Sequence, residues 1–290
     1  MAPGRHPIGR HEFMAASPVW PIEHAANGLL VQVLNDSDPA SAHMSSTSWQ
    51  FQKPPARRMG NQSRLRKIHG PDPSRGTTIL QDIQLNAGCS TPHLNDSVLQ
   101  IPNLATLAEC SHLIAAADSW CRDHPREVGL KTPSLTRVEC HPDGVNLDGR
   151  SHAISMAIIA RALRCIEVMR PELAESLFGQ RAGLADMWIT YSGAEPTINV
   201  YMAGGACSKH TDEHMLTVLL PLSCPDVDFW GGGTGFWAEG AASMGIVLRP
   251  SAGTAMLWRG HVRHAGLQVV SGRRHAYVVS FNLLGQQNQL

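Results

Sequence analysis

Three residues carry most of the chemistry this sequence offers. His210 and Asp212 stand two apart in the segment Tyr201-Met-Ala-Gly-Gly-Ala-Cys-Ser-Lys-His210-Thr-Asp212. On a strand, side chains at i and i+2 point to the same side, so an imidazole and a carboxylate at this spacing can hold one ion together. A third donor must come from a distant part of the chain, and Trp258-Arg-Gly-His-Val-Arg-His264-Ala-Gly supplies it. Two imidazoles and one carboxylate on one face of a metal form the ligand set of non-haem Fe(II) sites, with positions left open for a co-substrate and oxygen. His261 lies close before His264 and is a rival third donor; the Ala-Gly pair after His264 favours His264. His214 follows Asp212 closely and reads as a surface or substrate-side residue, although a shift of register would carry it to the metal.

Such a set needs a rigid scaffold of strands, and the second half of the chain offers one. Short apolar or alternating runs occur at 187–191, 197–201, 216–222, 245–248, 255–258, 266–270 and 276–283, separated by glycine, proline and polar clusters. This texture predicts a sandwich or barrel of short strands. Ahead of it, 98–101 reads as a strand and 104–120 as a helix, with Thr106 and Glu109 forming a capping box near its start. One long helix is expected over 151–178, rich in helix formers and apolar along one face. Helices first and strands after give an α+β chain.

The first ninety or so residues differ in composition, with frequent proline, serine, histidine and asparagine and little sustained apolar periodicity. Burial there is too weak to offset chain entropy, so 1–95 is expected to be poorly ordered or loosely docked, with 96–290 as the folded domain. Two apolar stretches, 28–34 and 77–85, are candidates for a strand or short helix docking on it. The apolar fraction of 43% is slightly low for a globular chain, in keeping with a part outside the core. Formal net charge is zero, which argues against an electrostatic nucleic-acid binder; the basic residues Arg57, Arg58, Arg64, Arg66 and Lys67 read as a solvated segment. No apolar run is long enough to span a bilayer, so no membrane partner is expected. Seven scattered cysteines without a C-x-x-C pair read as reduced thiols, which places the chain in the cytoplasm, with organellar targeting left open. Asn35, Asn61 and Asn95 open N-x-S triplets that are common by chance.

Several motifs in order resemble the prolyl-4-hydroxylase-like branch of the 2-oxoglutarate/Fe(II)-dependent dioxygenases. Tyr201, glycines, then His210 and Asp212 look like that family's Y-x-x-G…H-x-D strand. Gly231-Gly-Gly-Thr234-Gly-Phe236 is similar to its G-G-x-T-x-F turn. Leu248-Arg-Pro250-Ser-Ala-Gly253-Thr-Ala-Met-Leu257-Trp258 looks like its P-x-x-G-x-A-x-x-F segment, and His264 to Arg274 matches H-x-x-x-x-V-x-x-G-x-R/K. The resemblance implies a double-stranded β-helix (jelly-roll) core with supporting N-terminal helices. It implies Fe(II) on His210, Asp212 and His264, with 2-oxoglutarate and O2 as co-substrates and ascorbate as an optional reductant. Arg274 would pair with the distal carboxylate of 2-oxoglutarate, a task that suits a permanently charged bidentate fork. Arg273 is the adjacent alternative, and strand alternation lets only one of the two point inward. No tyrosine stands on the strand after H-x-D, so Tyr201 or Thr217 would serve the co-substrate. The implied reaction hydroxylates an unactivated C–H bond of a small molecule or a peptidyl proline, releasing succinate and CO2. A non-catalytic jelly-roll sensor and a metal oxygenase that needs no 2-oxoglutarate are the alternatives; oligomeric state stays open.

Overall fold

The computed structural model describes residues 97–284 apart from 133, 141–146, 194 and 239–243, together with 80–85, 94 and short strands at 23–25, 29–35 and 63–64. Cys89, Asn61, Asn95 and most of the basic segment at 57–67 lie outside the described residues.

The chain order is β1 (Glu23–Ala25), β2 (Leu29–Asn35), β3 (Ser63–Arg64), β4 (Gln81–Gln84), β5 (Ser97–Ile101), α1 (Leu107–Asp123), β6 (Leu135–Glu139), α2 (Gly149–Met169), α3 (Pro171–Phe178), β7 (Trp188–Tyr191), β8 (Thr197–Tyr201), β9 (Cys207–His210), β10 (Leu216–Pro221), β11 (Phe229–Gly231), β12 (Thr234–Trp237), β13 (Met244–Leu248), β14 (Ala255–Trp258), β15 (Arg263–Gly266), β16 (Val269–Gly272) and β17 (Arg274–Leu284). One sheet runs β1-β2-β13-β12-β15-β9. The other runs β3-β7-β17-β10-β14-β5-β4, with β8 beside the first half of β17 and β6 beyond β8. Eight of these strands make the core. Followed along the chain from β8, they pass back and forth between the sheets, so that β8-β17-β10-β14 faces β9-β15-β12-β13. That alternation is a double-stranded β-helix, an antiparallel jelly roll whose two sheets enclose the space between them.

The helices cover the outside of the larger sheet. Leu113, Ile158, Ile159, Leu163 and Ile166 pack with Leu216, Val218, Tyr277, Val279 and Phe281 in one cluster. β10 is buried along its whole length because it is central, with β14 and β17 as neighbours and a layer on each face. Between the sheets lies a second cluster that includes Val98, Phe236, Met256, Trp258 and Ala276.

α1 opens on the expected capping box: Glu109 N–H donates to Thr106 Oγ1 at 3.2 Å, and the Glu109 carboxylate accepts the Thr106 N–H at 2.8 Å. The helix starts at Leu107 rather than 104, because a capping threonine is itself non-helical. The single helix expected over 151–178 is two, α2 and α3, divided at Arg170. Pro171 lacks an N–H and clashes with the preceding turn, so it can only begin a helix. The expected strand at 266–270 is likewise two, β15 and β16, which lie in different sheets. Within the two apolar stretches before 96, 29–35 forms β2 on β13 and 81–84 forms β4 on β5. No helix among the described residues is long and apolar enough to cross a membrane.

Candidate metal centre and co-substrate pocket

β9, β15 and β12 lie side by side in the smaller sheet, and their register puts His210 opposite His264 and His264 opposite Phe236. A bulge between His264 and Gly266 sits in the same stretch, a feature that often re-aims a side chain beside an active site. The Asp212 placement differs from the expected one. β9 ends at His210, and Asp212 follows in a turn, tied by its N–H to the Gly260 carbonyl at 2.7 Å. The two residues converge from a strand end and a turn rather than from one strand face.

The donor atoms of His210, Asp212 and His264 all lie within 4.8 Å of one another. Each Asp212 oxygen faces one imidazole: Oδ1 is 3.7 Å from His210 Nε2, and Oδ2 is 3.6 Å from His264 Nε2. Both rings are fixed by backbone. His210 Nδ1 lies 2.6 Å from the Ser208 carbonyl and His264 Nδ1 lies 3.0 Å from the Val262 carbonyl. A carbonyl only accepts, so each Nδ1 carries hydrogen and each Nε2 is free to turn a lone pair toward a metal. Trp258 and Phe236 flank the His264 ring, at 4.8 and 6.3 Å between centroids. Without a metal the imidazoles compete for a proton. Burial and the His210 charge hold His264 down to about 4, whereas His210 is pushed up to about 9, its own burial outweighed by the Cys207 sulfur, the Ser208 carbonyl and Asp212. A pair in which one member resists protonation, with a carboxylate between, fits a divalent cation, whose binding would release the remaining proton.

His261 is exposed and His214 half-buried, and neither belongs to the converging donors. Both line a cleft of about 250 Å³ that also touches Asp212, Arg259 and Ser176. Thr217 is fully buried on β10, and its hydroxyl donates to Asp212 Oδ2 at 2.5 Å and contacts Ser280 Oγ at 3.1 Å. Its hydrogen is thus given to the Asp212 carboxylate.

Arg274 opens β17 with 3% of its surface exposed, while Arg273 turns outward to Asp118 at 3.0 Å. Arg274 Nη2 donates to Thr234 Oγ1 at 3.1 Å, and its guanidinium carbon lies 4.9 Å from the centre of the Tyr201 ring. Its Nη1 has no hydrogen-bond partner among the described residues, and no carboxylate pairs with it there. Burial lowers its pKa, yet guanidinium stays charged. A buried, unpaired cation is costly, and an anion at this place would offset that cost. Tyr201 links it to the metal end: a Cβ added at Gly266 would come within 2.9 Å of the Tyr201 hydroxyl, so β15 approaches the ring closely only because residue 266 is glycine. Asn199, on the same face of β8 two residues before, has an unpartnered buried amide oxygen. The donors thus fit Fe(II), and Arg274 with Tyr201 and Thr234 fits a carboxylate.

Sequence reasoning missed Thr234, Asn199, Ser280 and Glu195. Thr234 stands inside the glycine-rich turn motif, which could have pointed to it; strand alternation puts Asn199 on the face of Tyr201 and Ser280 on that of Arg274, whereas Glu195 carries no signal of spacing or type. Cys207 opens β9, three residues before His210. It is half-buried, with its sulfur against His210 and 4.0 Å from Arg137 Nη2.

The fold and the three donors define a double-stranded β-helix with a two-histidine, one-carboxylate face. No family model and no curated protein matches the chain. Among solved structures it is similar to a collagen prolyl hydroxylase of Paramecium Bursaria Chlorella virus-1 solved with 2-oxoglutarate (15% identity, 65% of this chain and 96% of that one, TM-score 0.45). It is also similar to a prolyl-4-hydroxylase of Pseudomonas putida (15% identity, 65% and 93%, TM-score 0.41). A third is a prolyl hydroxylase of Trichoplax adhaerens in complex with a hypoxia-inducible-factor peptide fragment (12% identity, 64% and 83%, TM-score 0.43).

Proposed function

We propose that this chain is an Fe(II)- and 2-oxoglutarate-dependent dioxygenase that hydroxylates an unactivated C–H bond of a small molecule or a peptidyl proline. The observation that carries the reading is the pairing of two unsatisfied features in one jelly roll: converging metal donors and a buried guanidinium with an orphaned N–H. Converging donors alone would suit any divalent-metal protein, and a buried guanidinium alone would suit any anion. Together they match the needs of a metal and a dicarboxylate bound side by side.

His210, Asp212 and His264 would hold the iron, which when bound supplies the oxygen activation that hydroxylation of such a bond requires. The chain's own residues do the rest. Arg274 and Thr234 anchor the distal carboxylate of the co-substrate, with the Tyr201 ring against the guanidinium and its hydroxyl available to the ligand. Trp258 and Phe236 exclude water around His264. Thr217 holds Asp212 through its hydroxyl.

Anaerobic addition of Fe(II) and 2-oxoglutarate to metal-free protein tests this. The expected result is a weak visible charge-transfer band that is absent from His264→Ala and kept by His261→Ala. A folded protein that gives no band lacks a competent site and is a binding module instead. A band lost in His261→Ala and kept in His264→Ala would move the third ligand to residue 261.

A further inference from the structure

Two strands end the sheets on one flank of the jelly roll. Among the described strands, β6 pairs with β8 alone and β9 with β15 alone. Arg137 spans the gap between these edges, its Nη2 donating to Cys207 Sγ at 4.0 Å. The register fixes where Arg137 stands. It is directly opposite Asn199, and Asn199 is opposite Ala276, two residues along β17 from Arg274. Directly opposed residues share a sheet face, as do residues two apart on one strand. Arg137 thus rises from the inner face that carries Tyr201 and Arg274. Along β17 that face runs from Arg274 through Ala276 to Ser280, whose hydroxyl contacts the Thr217 that holds Asp212. Arg137 therefore lies level with the stretch between the co-substrate anchor and the metal donors. The donor set opens on the same flank: the His210 side chain is 38% exposed, against 17% for Asp212 and 8% for His264.

Two opposite charges are available there. Arg137 is exposed, and among the described residues it pairs with no carboxylate and has only a thiol, a weak acceptor, for its N–H groups. Glu139 stands two residues on, on the same face and half-buried, and pairs with no cation among those residues, Arg137 included. A guanidinium fork suits a carboxylate, and a carboxylate beside it suits an ammonium. A proline within a peptide offers neither charge, because its nitrogen is an amide without hydrogen and its carbonyl is neutral. We infer that Arg137 is a specificity-determining residue and that the substrate is a free α-amino acid, its carboxylate on Arg137 and its ammonium on Glu139. The inference rests on the proposed dioxygenase reading and chooses between the two substrate classes it leaves. The two arginines then have separate tasks. Arg274, buried, anchors the co-substrate, and Arg137, on the open flank, takes the substrate as it enters.

The test is anaerobic binding to the full chain loaded with Fe(II) and 2-oxoglutarate. The common L-amino acids, their carboxamides, their N-acetyl derivatives and an end-blocked prolyl peptide are titrated in turn. The charge-transfer band is followed, since a substrate settling beside the iron perturbs it. At least one free amino acid is expected to shift the band. Its carboxamide and its N-acetyl derivative should each bind about 10–100-fold more weakly, the worth of a hydrogen bond between charged groups. Arg137→Met should weaken the free amino acid by a similar factor while leaving the carboxamide and 2-oxoglutarate within about twofold of wild type, because neither uses the lost contact. Residue 137 is exposed, and circular dichroism checks that the variant folds. The inference is overturned, and the dioxygenase reading spared, by a band that no free amino acid shifts or that the prolyl peptide shifts instead. A carboxamide or N-acetyl derivative bound as tightly as the free acid does the same, as does an Arg137→Met variant with unchanged amino-acid affinity. An Arg137→Met variant that loses 2-oxoglutarate would make Arg137 a co-substrate contact and also overturns it. A wild-type chain that gives no band with Fe(II) and 2-oxoglutarate overturns both.

Discussion

Arg274 is where function and stability pull apart. Its guanidinium is buried with one N–H unbonded and Thr234 as its only hydrogen-bonded side chain among the described residues. Replacing a buried ion pair by well-packed apolar groups is often neutral or stabilising by about 1–4 kcal/mol, and a buried cation with no charged partner has still less to offset its desolvation. Arg274→Met is therefore expected to raise the thermal midpoint of the ligand-free protein while reducing 2-oxoglutarate affinity more than 100-fold with metal still bound. Adding saturating 2-oxoglutarate should stabilise the wild type and leave the variant unmoved, since a ligand stabilises only the state that binds it. A variant less stable than wild type without ligand would mean that Arg274 is a structural residue. Arg273 offers the matched control, because its partner Asp118 lies on α1, on the outer side of the sheet.

At the level of elements, the site depends on two loops pressed together. Asp212 N–H donates to the Gly260 carbonyl, and a Cβ at Gly260 would stand 2.0 Å from the His214 carbonyl oxygen and 2.7 Å from that of Asp212. Backbone cannot yield as a side-chain tip can, so Gly260→Ala must separate the turn carrying Asp212 from the segment leading to His264. Overpacking of this kind costs about 1–3 kcal/mol. Metal affinity should fall although residue 260 touches no donor, and an unchanged affinity would show that the loops move independently. A second element-level contact joins α1 to α2. Arg161 donates to both Glu109 oxygens, at 2.9 and 3.1 Å, while the same carboxylate caps α1. Burial raises the Glu109 pKa, but the Arg161 and Thr106 bonds outweigh it and hold the carboxyl below its usual range. A depressed folded value means the stabilisation is complete above the unfolded pKa and is lost as pH falls through the folded one. Glu109→Gln should thus lower the thermal midpoint at pH 7 and leave the two proteins closer together as acid titrates the depressed carboxyl; a constant gap would remove Glu109 from the acid response. These details show what sequence can carry. The capping box was legible because it is local; strand alternation showed that only one of Arg273 and Arg274 could turn inward, without saying which. The break at Pro171 was missed because helix formers on both sides outweighed one residue. β6 was missed because Leu-Thr-Arg-Val-Glu has little apolar pattern and is a strand by virtue of its partner. Glu195 and Ser280 meet only through the fold, across a separation that no motif encodes.

For the molecule as a whole, the question is how much chain the site requires. All the residues assigned to metal and co-substrate lie between Asn199 and Ser280, within the eight core strands and their connections. Earlier strands add to the edges. β4 pairs along β5, and β5 in turn pairs β14; on the other sheet β2 covers the free edge of β13. We propose 96–290 as the dioxygenase unit, yet a cut at residue 96 would strip β4 from β5 and expose its row of backbone groups, including the neighbourhood of the buried Gln100. A cut at residue 77 keeps β4 and removes β1 to β3. The shorter deletion should leave Co(II) and 2-oxoglutarate affinities within about twofold of the full chain, because no donor or its hydrogen-bond partner is touched. It should lower stability modestly and favour self-association, because the bared edge of β13 can pair with a second copy. Starting at 96 should cost further stability while sparing the affinities of whatever remains folded. The outcome that contradicts this is a chain from 77 that is folded by circular dichroism but has lost metal or co-substrate binding. That result would make the first 76 residues part of the site rather than of its frame.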